Sequence, residues 1–292
     1  MDAWLSAFVA AEGLPPAFAH TVRAVCDPLA DRIALASAAR GRPPGFVVGL
    51  CGTQASGKST LVAVLRRTLE DRGLRVASFS LDDLYLTRAE RAALARRVHP
   101  LFAVRGAPGT HDTGLGERVL EALGRSGEVA LPSFDKGADD RRPEGAWPRV
   151  QAPVEVILFE GWCVGARPED PEALAAPVNA LERDEDPRGL WRAHANEALA
   201  GPYQRLFERV DMLVLLQAPS FEVVLAWRQE QEAKLRARLA AAGEGRGRAM
   251  TDAQVVRFIA HYERLTRHIL AEMPGRAEVV VRLDAERRGV VG

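Results

Sequence analysis

The stretch Phe46-Val-Val-Gly-Leu-Cys-Gly52-Thr-Gln-Ala-Ser-Gly57-Lys58-Ser59-Thr60 decides the fold class. From Gly52 to Ser59 it carries the full pattern G-x-x-x-x-G-K-S. Ahead of it, Phe46 to Leu50 is apolar and β-prone, which predicts a buried strand. Behind it, Leu61, Val62, Leu65 and Leu69 share one helical face. Strand, glycine loop and helix form the context in which this pattern holds phosphate. Gly52 and Gly57 permit a tight turn, so that the backbone N–H groups of Thr53, Gln54, Ala55 and Ser56 can converge on phosphate oxygens. The helix N-terminus beginning near Lys58, Ser59 and Thr60 adds partial positive charge. Lys58 is expected to reach the β- and γ-phosphates, and the Ser59 hydroxyl to ligate Mg2+. The loop specifies a nucleoside triphosphate without specifying what receives its phosphate.

The rest of the composition narrows the field. The 292 residues are 47% hydrophobic and 27% charged, ordinary for a globular chain with one large core or one core and an appendage. Lys+Arg and Asp+Glu balance at 39 each, so there is no bulk electrostatic attraction to nucleic acid or to an anionic membrane, and neither is expected as a partner. Arginines are therefore sought as local anion clamps. Cys26, Cys51 and Cys163 are widely spaced, with no CxxC or zinc spacing, which fits a reduced, cytoplasmic setting. The start Met-Asp-Ala-Trp-Leu-Ser lacks the basic and apolar regions of a signal peptide. No apolar run is long enough to span a bilayer.

Along the chain, residues 1–44 are expected to form an N-terminal helical extension and 45–292 the main domain. Further strands are predicted at Arg75–Leu81, Val154–Phe159, Asp211–Gln217 and Val279–Leu283, and helices at Thr87–Arg97, Thr113–Leu123, 220–241 and from Thr251 to Pro274. Thr87 with Glu90, and Thr251 with Gln254, match capping boxes. His99–Asp112 and Leu131–Pro148 are expected to be irregular, Arg167–Asp186 partly loop, Arg42–Gly45 a linker, and Ala242–Arg248 a mobile glycine-rich connection. Apolar strands alternating with helices predict an α/β fold, a mostly parallel sheet covered by helices on both faces. Ligands in such sheets bind beyond the carboxyl ends of the strands. Three strands deliver polar residues there: the loop at Gly52, Asp82-Asp83, and Glu160.

Phosphoryl transfer needs positioning, charge neutralisation and a group to take the acceptor's proton. Asp82 is a candidate base or a water-mediated Mg2+ partner; Asp83 and Tyr85 are candidate acceptor contacts. Two acids after a strand can also merely cap the next turn. Glu160 follows an apolar strand and is a candidate metal partner, next to Gly161, which admits close backbone approach. Trp162 and Cys163 read as packing. Arg105, His111 and Asp112 form one candidate anion-binding loop, and Asp135, Lys136 and Arg141 or Arg142 a second. Arg228 either reaches the transferring phosphate or pairs with Glu232 one helical turn on.

In order along the chain, the phosphate loop, Ser80-Leu-Asp-Asp-Leu-Tyr-Leu-Thr87, Arg105-Gly-Ala-Pro-Gly-Thr-His-Asp112, Leu131-Pro-Ser-Phe-Asp-Lys136, Glu160-Gly-Trp-Cys163, Trp227-Arg-Gln-Glu-Gln-Glu232 and Tyr262-Glu-Arg-Leu-Thr-Arg267 resemble the D-glycerate 3-kinase family. That family lies within the phosphoribulokinase, uridine kinase and pantothenate kinase group of P-loop kinases. The resemblance covers roughly 45–285 and implies a nucleoside-kinase-like fold, ATP and Mg2+ as cofactors, and D-glycerate as the small-molecule substrate, converted to 3-phosphoglycerate. It maps the base onto Asp82 and the acid after the third strand onto Glu160. Glycerate's carboxylate would be met by Arg105 and Lys136. The loop after Lys136 is shorter than the family's glycine-rich version, which leaves both Arg141 and Arg142 for the family's arginine.

Two other readings fit the same loop. One is a kinase of the same group acting on another small alcohol, such as a nucleoside, a sugar phosphate or a pantothenate-like compound. The other is a regulatory or assembly NTPase, although an Asn-Lys-x-Asp guanine signature is missing. Nothing in the sequence specifies an oligomeric state.

Overall fold

In the computed structural model, which describes residues 2–14, 18–41, 44–241 and 249–291, the long apolar segments pair into one six-stranded sheet, beside two two-stranded pairs. The strands are β1 (Phe46–Gly52), β2 (Val76–Ser80), β3 (Gly127–Ala130), β4 (Phe134–Asp135), β5 (Asp140–Arg141), β6 (Arg149–Ala152), β7 (Val156–Gly161), β8 (Met212–Gln217), β9 (Val279–Leu283) and β10 (Gly289–Val291). The six-stranded sheet has the order β10-β9-β8-β1-β7-β2, and the two-stranded pairs are β3–β6 and β4–β5. All neighbours in the six-stranded sheet are parallel except β10 against β9. Parallel neighbours require crossovers, and the helices supply them. They are α1 (Asp2–Ala11), α2 (Phe18–Thr21), α3 (Asp27–Ala39), α4 (Lys58–Asp71), α5 (Arg88–Arg97), α6 (Thr113–Leu123), α7 (Ala180–Glu185), α8 (Leu190–Ala198), α9 (Gln204–Phe207), α10 (Phe221–Ala241) and α11 (Asp252–Glu272).

The strands are apolar on both faces because both faces are covered. Phe46, Val48 and Leu50 of β1, with Val156 and Leu158 of β7, share a cluster with Leu29 and Ile33 of α3 and Leu65 of α4. The alternate residues Val47, Cys51, Ile157 and Phe159 share the opposite cluster with Leu120 of α6 and Leu206 of α9. This two-residue alternation is that of a strand, and each fully buried Leu, Ile or Phe contributes roughly 1.5–3 kcal/mol of apolar transfer. The N-terminal Leu5, Val22 and Val25 join the first cluster.

Register sets where the polar groups emerge. Leu50 pairs with Glu160 and with Val214, and Ser80 pairs with Glu160, so one row crosses four strands and lies at or near the carboxyl ends of β2, β7 and β1. The chain just past that row carries the phosphate loop and Asp82. Gly161 is required here: a Cβ at this position would stand 2.6 Å from Leu81 Cβ.

Both expected capping boxes form, at Thr87 with Glu90 and at Thr251 with Gln254. Leu131–Pro148, expected as loop, contains the β4–β5 hairpin. Its strands are two residues each, too short for a periodic signal, and tertiary bonds hold them: Phe134 N–H donates to Asp83 and Arg88 N–H to Asp140. The polar stretch 167–186 ends in α7, capped by the Asn179 side chain. The glycine-rich segment 242–248, and Arg42 and Pro43 of the expected linker, lie outside the described residues. Among the described residues no helix is long and apolar enough to cross a membrane.

Candidate active site

Past β1 the chain turns through Ala55 (φ 58°) and Gly57 (φ 83°), both left-handed, before α4 begins at Lys58. The turn borders a cavity of about 390 Å3. Thr53, Gln54, Ala55, Ser56, Gly57, Lys58, Ser59 and Thr60 line it, as do Asp82, Tyr85, Arg105, Lys136, Glu160 and Arg228, so most residues singled out in the sequence meet in one place. Gly52 stands at the end of β1, where the turn begins.

Glu160 is buried and faces two residues of the loop. The Ser59 hydroxyl donates to its Oε1 at 3.0 Å, and Lys58 Nζ lies 2.5 Å from its Oε2. Burial acts to lower the Lys58 pKa, but the charge and hydrogen bond of Glu160 outweigh it, so the ammonium is held charged above its ordinary range.

Asp82 and Asp83 have separate surroundings. Both sit in the turn after β2, where the Ser80 hydroxyl accepts from Asp82 N–H at 3.2 Å and Asp83 accepts from Ser80 N–H at 3.2 Å. Asp82 faces the cavity. It accepts from the Tyr85 hydroxyl at 3.0 Å and pairs with Lys136 Nζ at 2.6 Å. Burial pushes its carboxyl up, but Lys136 and then Lys58 outweigh this and hold it below the ordinary carboxylate range. Asp83 instead receives Phe134 N–H at 3.2 Å, and burial raises its carboxyl. The Tyr85 phenol is pushed well up by burial and by Asp82, which keeps its proton in place.

The β4–β5 hairpin delivers Lys136. Asp135 accepts N–H bonds from Gly137 (2.9 Å) and Ala138 (3.0 Å), closing the turn. Asp139 (φ 55°) then bridges two guanidiniums: it is bonded to Arg105 and accepts from the fully buried Arg91 at 2.6 Å. Both guanidiniums lie over the Phe134 ring, at 5.5 and 5.6 Å. Of the two candidate arginines, Arg141 turns inward and donates to Tyr85 C=O at 2.8 Å, whereas Arg142 pairs with Asp135 at 3.1 Å on the outside.

Asp83, His111, Asp112, Asp135 and Arg141 do not line the cavity; they hold the groups that do. Asp112 caps α6 by accepting Leu115 N–H at 2.9 Å and also pairs with Arg141. His111 stacks 4.3 Å behind Tyr85, with Nδ1 2.5 Å from the Tyr203 hydroxyl. Burial pulls its pKa down to about 3, so the ring is neutral at physiological pH.

Arg228 forms the expected pair one helical turn on and also borders the cavity. It pairs with Glu232 at 2.8 Å, donates to Gln231 at 2.7 Å, lies 5.5 Å over Phe258, and still lines the cavity. The cavity also includes Trp162, Gln231, Phe258 and Tyr262, none of which the motifs marked as site residues. Trp162 Nε1 donates to Gly106 C=O at 3.1 Å, and the Tyr262 hydroxyl donates to Arg105 C=O at 3.3 Å, so both also brace the Arg105 loop. The four-residue spacing of Phe258 and Tyr262 on α11 was the available signal, and it equally describes a core face.

The candidate metal ligands in the lining are one hydroxyl (Ser59) and two carboxylates (Glu160, Asp82). Such hard ligands suit Mg2+, which keeps several waters and binds largely through substrate phosphates. Among the described residues no cluster of three or more His, Cys, Asp or Glu side chains forms an all-protein metal cage.

No protein-family model matches the chain. An uncharacterized kinase of Schizosaccharomyces pombe, mug58, is 38% identical over 233 residues, which cover 76% of this chain and 79% of that protein. The chloroplastic D-glycerate 3-kinase of Arabidopsis thaliana is 31% identical over 230 residues; the match covers 75% of this chain and 46% of that longer protein, about half its length. The solved structure of D-glycerate 3-kinase from Cryptococcus neoformans aligns with a TM-score of 0.73 at 25% identity, over 92% of this chain and 99% of that one. On this likeness, the chain belongs to the family of P-loop kinases that includes these D-glycerate 3-kinases.

Proposed function

We propose that the protein transfers the γ-phosphoryl group of ATP to the 3-hydroxyl of D-glycerate, giving 3-phosphoglycerate and ADP. The observation that carries this reading is the position of Asp82. It shares one cavity with the phosphate loop, ionised and fixed by Tyr85 and Lys136. In an in-line transfer the acceptor oxygen bonds to the γ-phosphorus as the bond to the β-phosphate oxygen breaks. The hydroxyl proton then passes to Asp82. Lys58 and Arg228 offset negative charge on the phosphates, and Arg105 and Lys136 meet the glycerate carboxylate. Mg2+ brought by ATP would be held by Ser59 and, through water, by Glu160 and Asp82, and would neutralise phosphate charge. Asp83, His111, Asp112, Asp135 and Arg141 serve the acceptor side by fixing Tyr85 and the hairpin.

The same reading treats 1–44 as a helical extension of a kinase domain at 45–292. It places the enzyme in the reducing cytoplasm, which the three free thiols Cys26, Cys51 and Cys163 support.

The test is ADP release from MgATP with and without D-glycerate, followed by NMR assignment of the phosphorylated position. Strong stimulation with phosphate on C3 is expected. Turnover no faster than with water alone sinks the glycerate assignment, and turnover equally independent of nucleosides, sugar phosphates and pantothenate sinks the kinase reading in favour of an NTPase.

A further inference from the structure

The phosphate loop has one residue in an unfavourable conformation. Ala55 sits at φ 58°, a left-handed geometry in which Cβ crowds the backbone. Its carbonyl is held by a residue from the far end of the chain: Arg287 Nε donates to Ala55 O at 2.8 Å, across 232 residues. Arg287 is itself left-handed (φ 63°) and belongs to the turn between β9 and β10. Asp284 closes that turn, accepting N–H bonds from Glu286 (3.0 Å) and Arg288 (2.8 Å).

The same guanidinium reaches α10. It lies 5.2 Å over the Trp227 ring and pairs with Glu230 at 2.8 Å. Trp227 answers by donating Nε1–H to Ala285 C=O at 2.6 Å. The next residue on α10 is Arg228, in the cavity lining. One arginine thus joins the phosphate loop, the C-terminal turn and the helix that carries Arg228.

We infer that Arg287 is a positioning residue that sets the phosphate loop for nucleotide and couples it to α10. In a planar trans peptide the C=O and the following N–H point in opposite directions. Holding the Ala55 carbonyl toward Arg287 therefore aims the Ser56 N–H back into the loop. There it meets Thr53 O at 3.4 Å, a long bond that a phosphate oxygen can replace. A Lys at 287 could keep the charge opposite Glu230, but it has no planar fork to stack on Trp227 and bond Ala55 at once.

The inference rests on the phosphate-loop reading and not on the choice of acceptor, so it is tested by calorimetric titration with MgADP in the absence of any acceptor. Wild-type protein that binds no MgADP overturns the phosphate-loop reading itself; the outcomes below presuppose that it binds. R287A is expected to bind MgADP at least about tenfold more weakly, with R287K closer to R287A than to wild type. E230Q, which removes the ion pair and leaves the bond to Ala55, is expected to stay within about twofold of wild type. Nucleotide-free R287A should melt within a few degrees of wild type, which a residue serving only the turn would not combine with a tenfold loss of affinity. Equal MgADP affinity in R287A and wild type overturns the inference, as does a loss in E230Q as large as that in R287A. Should R287A fail to fold, hydrogen exchange on wild type decides. MgADP is expected to slow amide exchange in 284–288 as well as in 53–60, and no change in 284–288 overturns the coupling.

Discussion

Lys136 and Asp82, 54 residues apart in sequence, meet at 2.6 Å in the cavity that the phosphate loop borders. The pair explains why a carboxylate that burial pushes up is nevertheless held down. A base whose pKa is lowered stays ionised to lower pH, so activity that needs ionised Asp82 is lost only as pH falls through that lowered value. In K136M burial is left less opposed, and the acidic limb of the kcat/KM profile is expected to move to higher pH. A pH–rate series on both proteins checks this; coincident acidic limbs would remove Lys136 as the group that sets the Asp82 charge.

Lys58 and Asp82 act on different parts of the proposed reaction, one on phosphate charge and one on the acceptor proton. K58A and D82N are each expected to lower turnover by at least about a hundredfold. D82N should largely keep MgADP binding, because the loop amides and Lys58, and not Asp82, are the proposed phosphate contacts. Steady-state kinetics with parallel calorimetry separate the two. Near-normal turnover in D82N would shift attention to Asp83.

Asp139 stands between Arg91 and Arg105, two guanidiniums that share the Phe134 ring. D139N removes the charge that lets both remain there. Loss of a charged hydrogen bond to buried Arg91 is expected to cost on the order of 2 kcal/mol, read from the urea midpoint. Arg105 would also lose its fixed position, so the acceptor KM should rise several-fold while the ATP KM is kept. A parallel rise in both would place Arg105 outside the acceptor site.

His111 makes stability depend on pH. Its ring is neutral down to about 3 in the folded protein, against 6.5 ordinarily. Between those values the unfolded chain binds a proton that the native state does not, so stability rises with pH. The contribution is complete above about 6.5 and is lost as pH falls toward 3. Melting temperatures across this range should fall more steeply in wild type than in H111Q, and identical slopes would show that His111 does not titrate as its burial requires.

Much of this was legible in the chain. The five strands of the parallel sheet are mainly apolar, and three of them lead into polar groups that reach the candidate site. The phosphate loop, Asp82 and Glu160 could therefore be placed on one edge before any coordinates. The hairpin at 134–141 could not, because two-residue strands have no period and are held by Asp83 and Arg88. Asp82 and Asp83 have different expected roles, candidate base and candidate acceptor contact; the residues are identical and adjacent, and in the structure the direction each side chain takes separates the cavity from the hairpin. His111, Asp112 and Arg141 looked like ligands because they are polar and close in sequence to Arg105 and Lys136. Folding turned them against Tyr85, Tyr203 and α6, where His111 Nδ1 meets the Tyr203 hydroxyl, Asp112 caps α6 and Arg141 bonds the Tyr85 carbonyl.

The sequence by itself determined the phosphate loop and the α/β order, because glycine spacing and apolar periodicity are local properties that neighbours a few residues away specify. Tertiary structure alone decided the long-range polar contacts. Lys58 with Glu160, Lys136 with Asp82, Arg105 with Asp139 and Arg287 with Ala55 each join segments far apart in the chain. Electrostatic and hydrogen-bond partners are chosen by distance in space, and that distance exists only once strands β1, β2, β7 and β9 lie in their register.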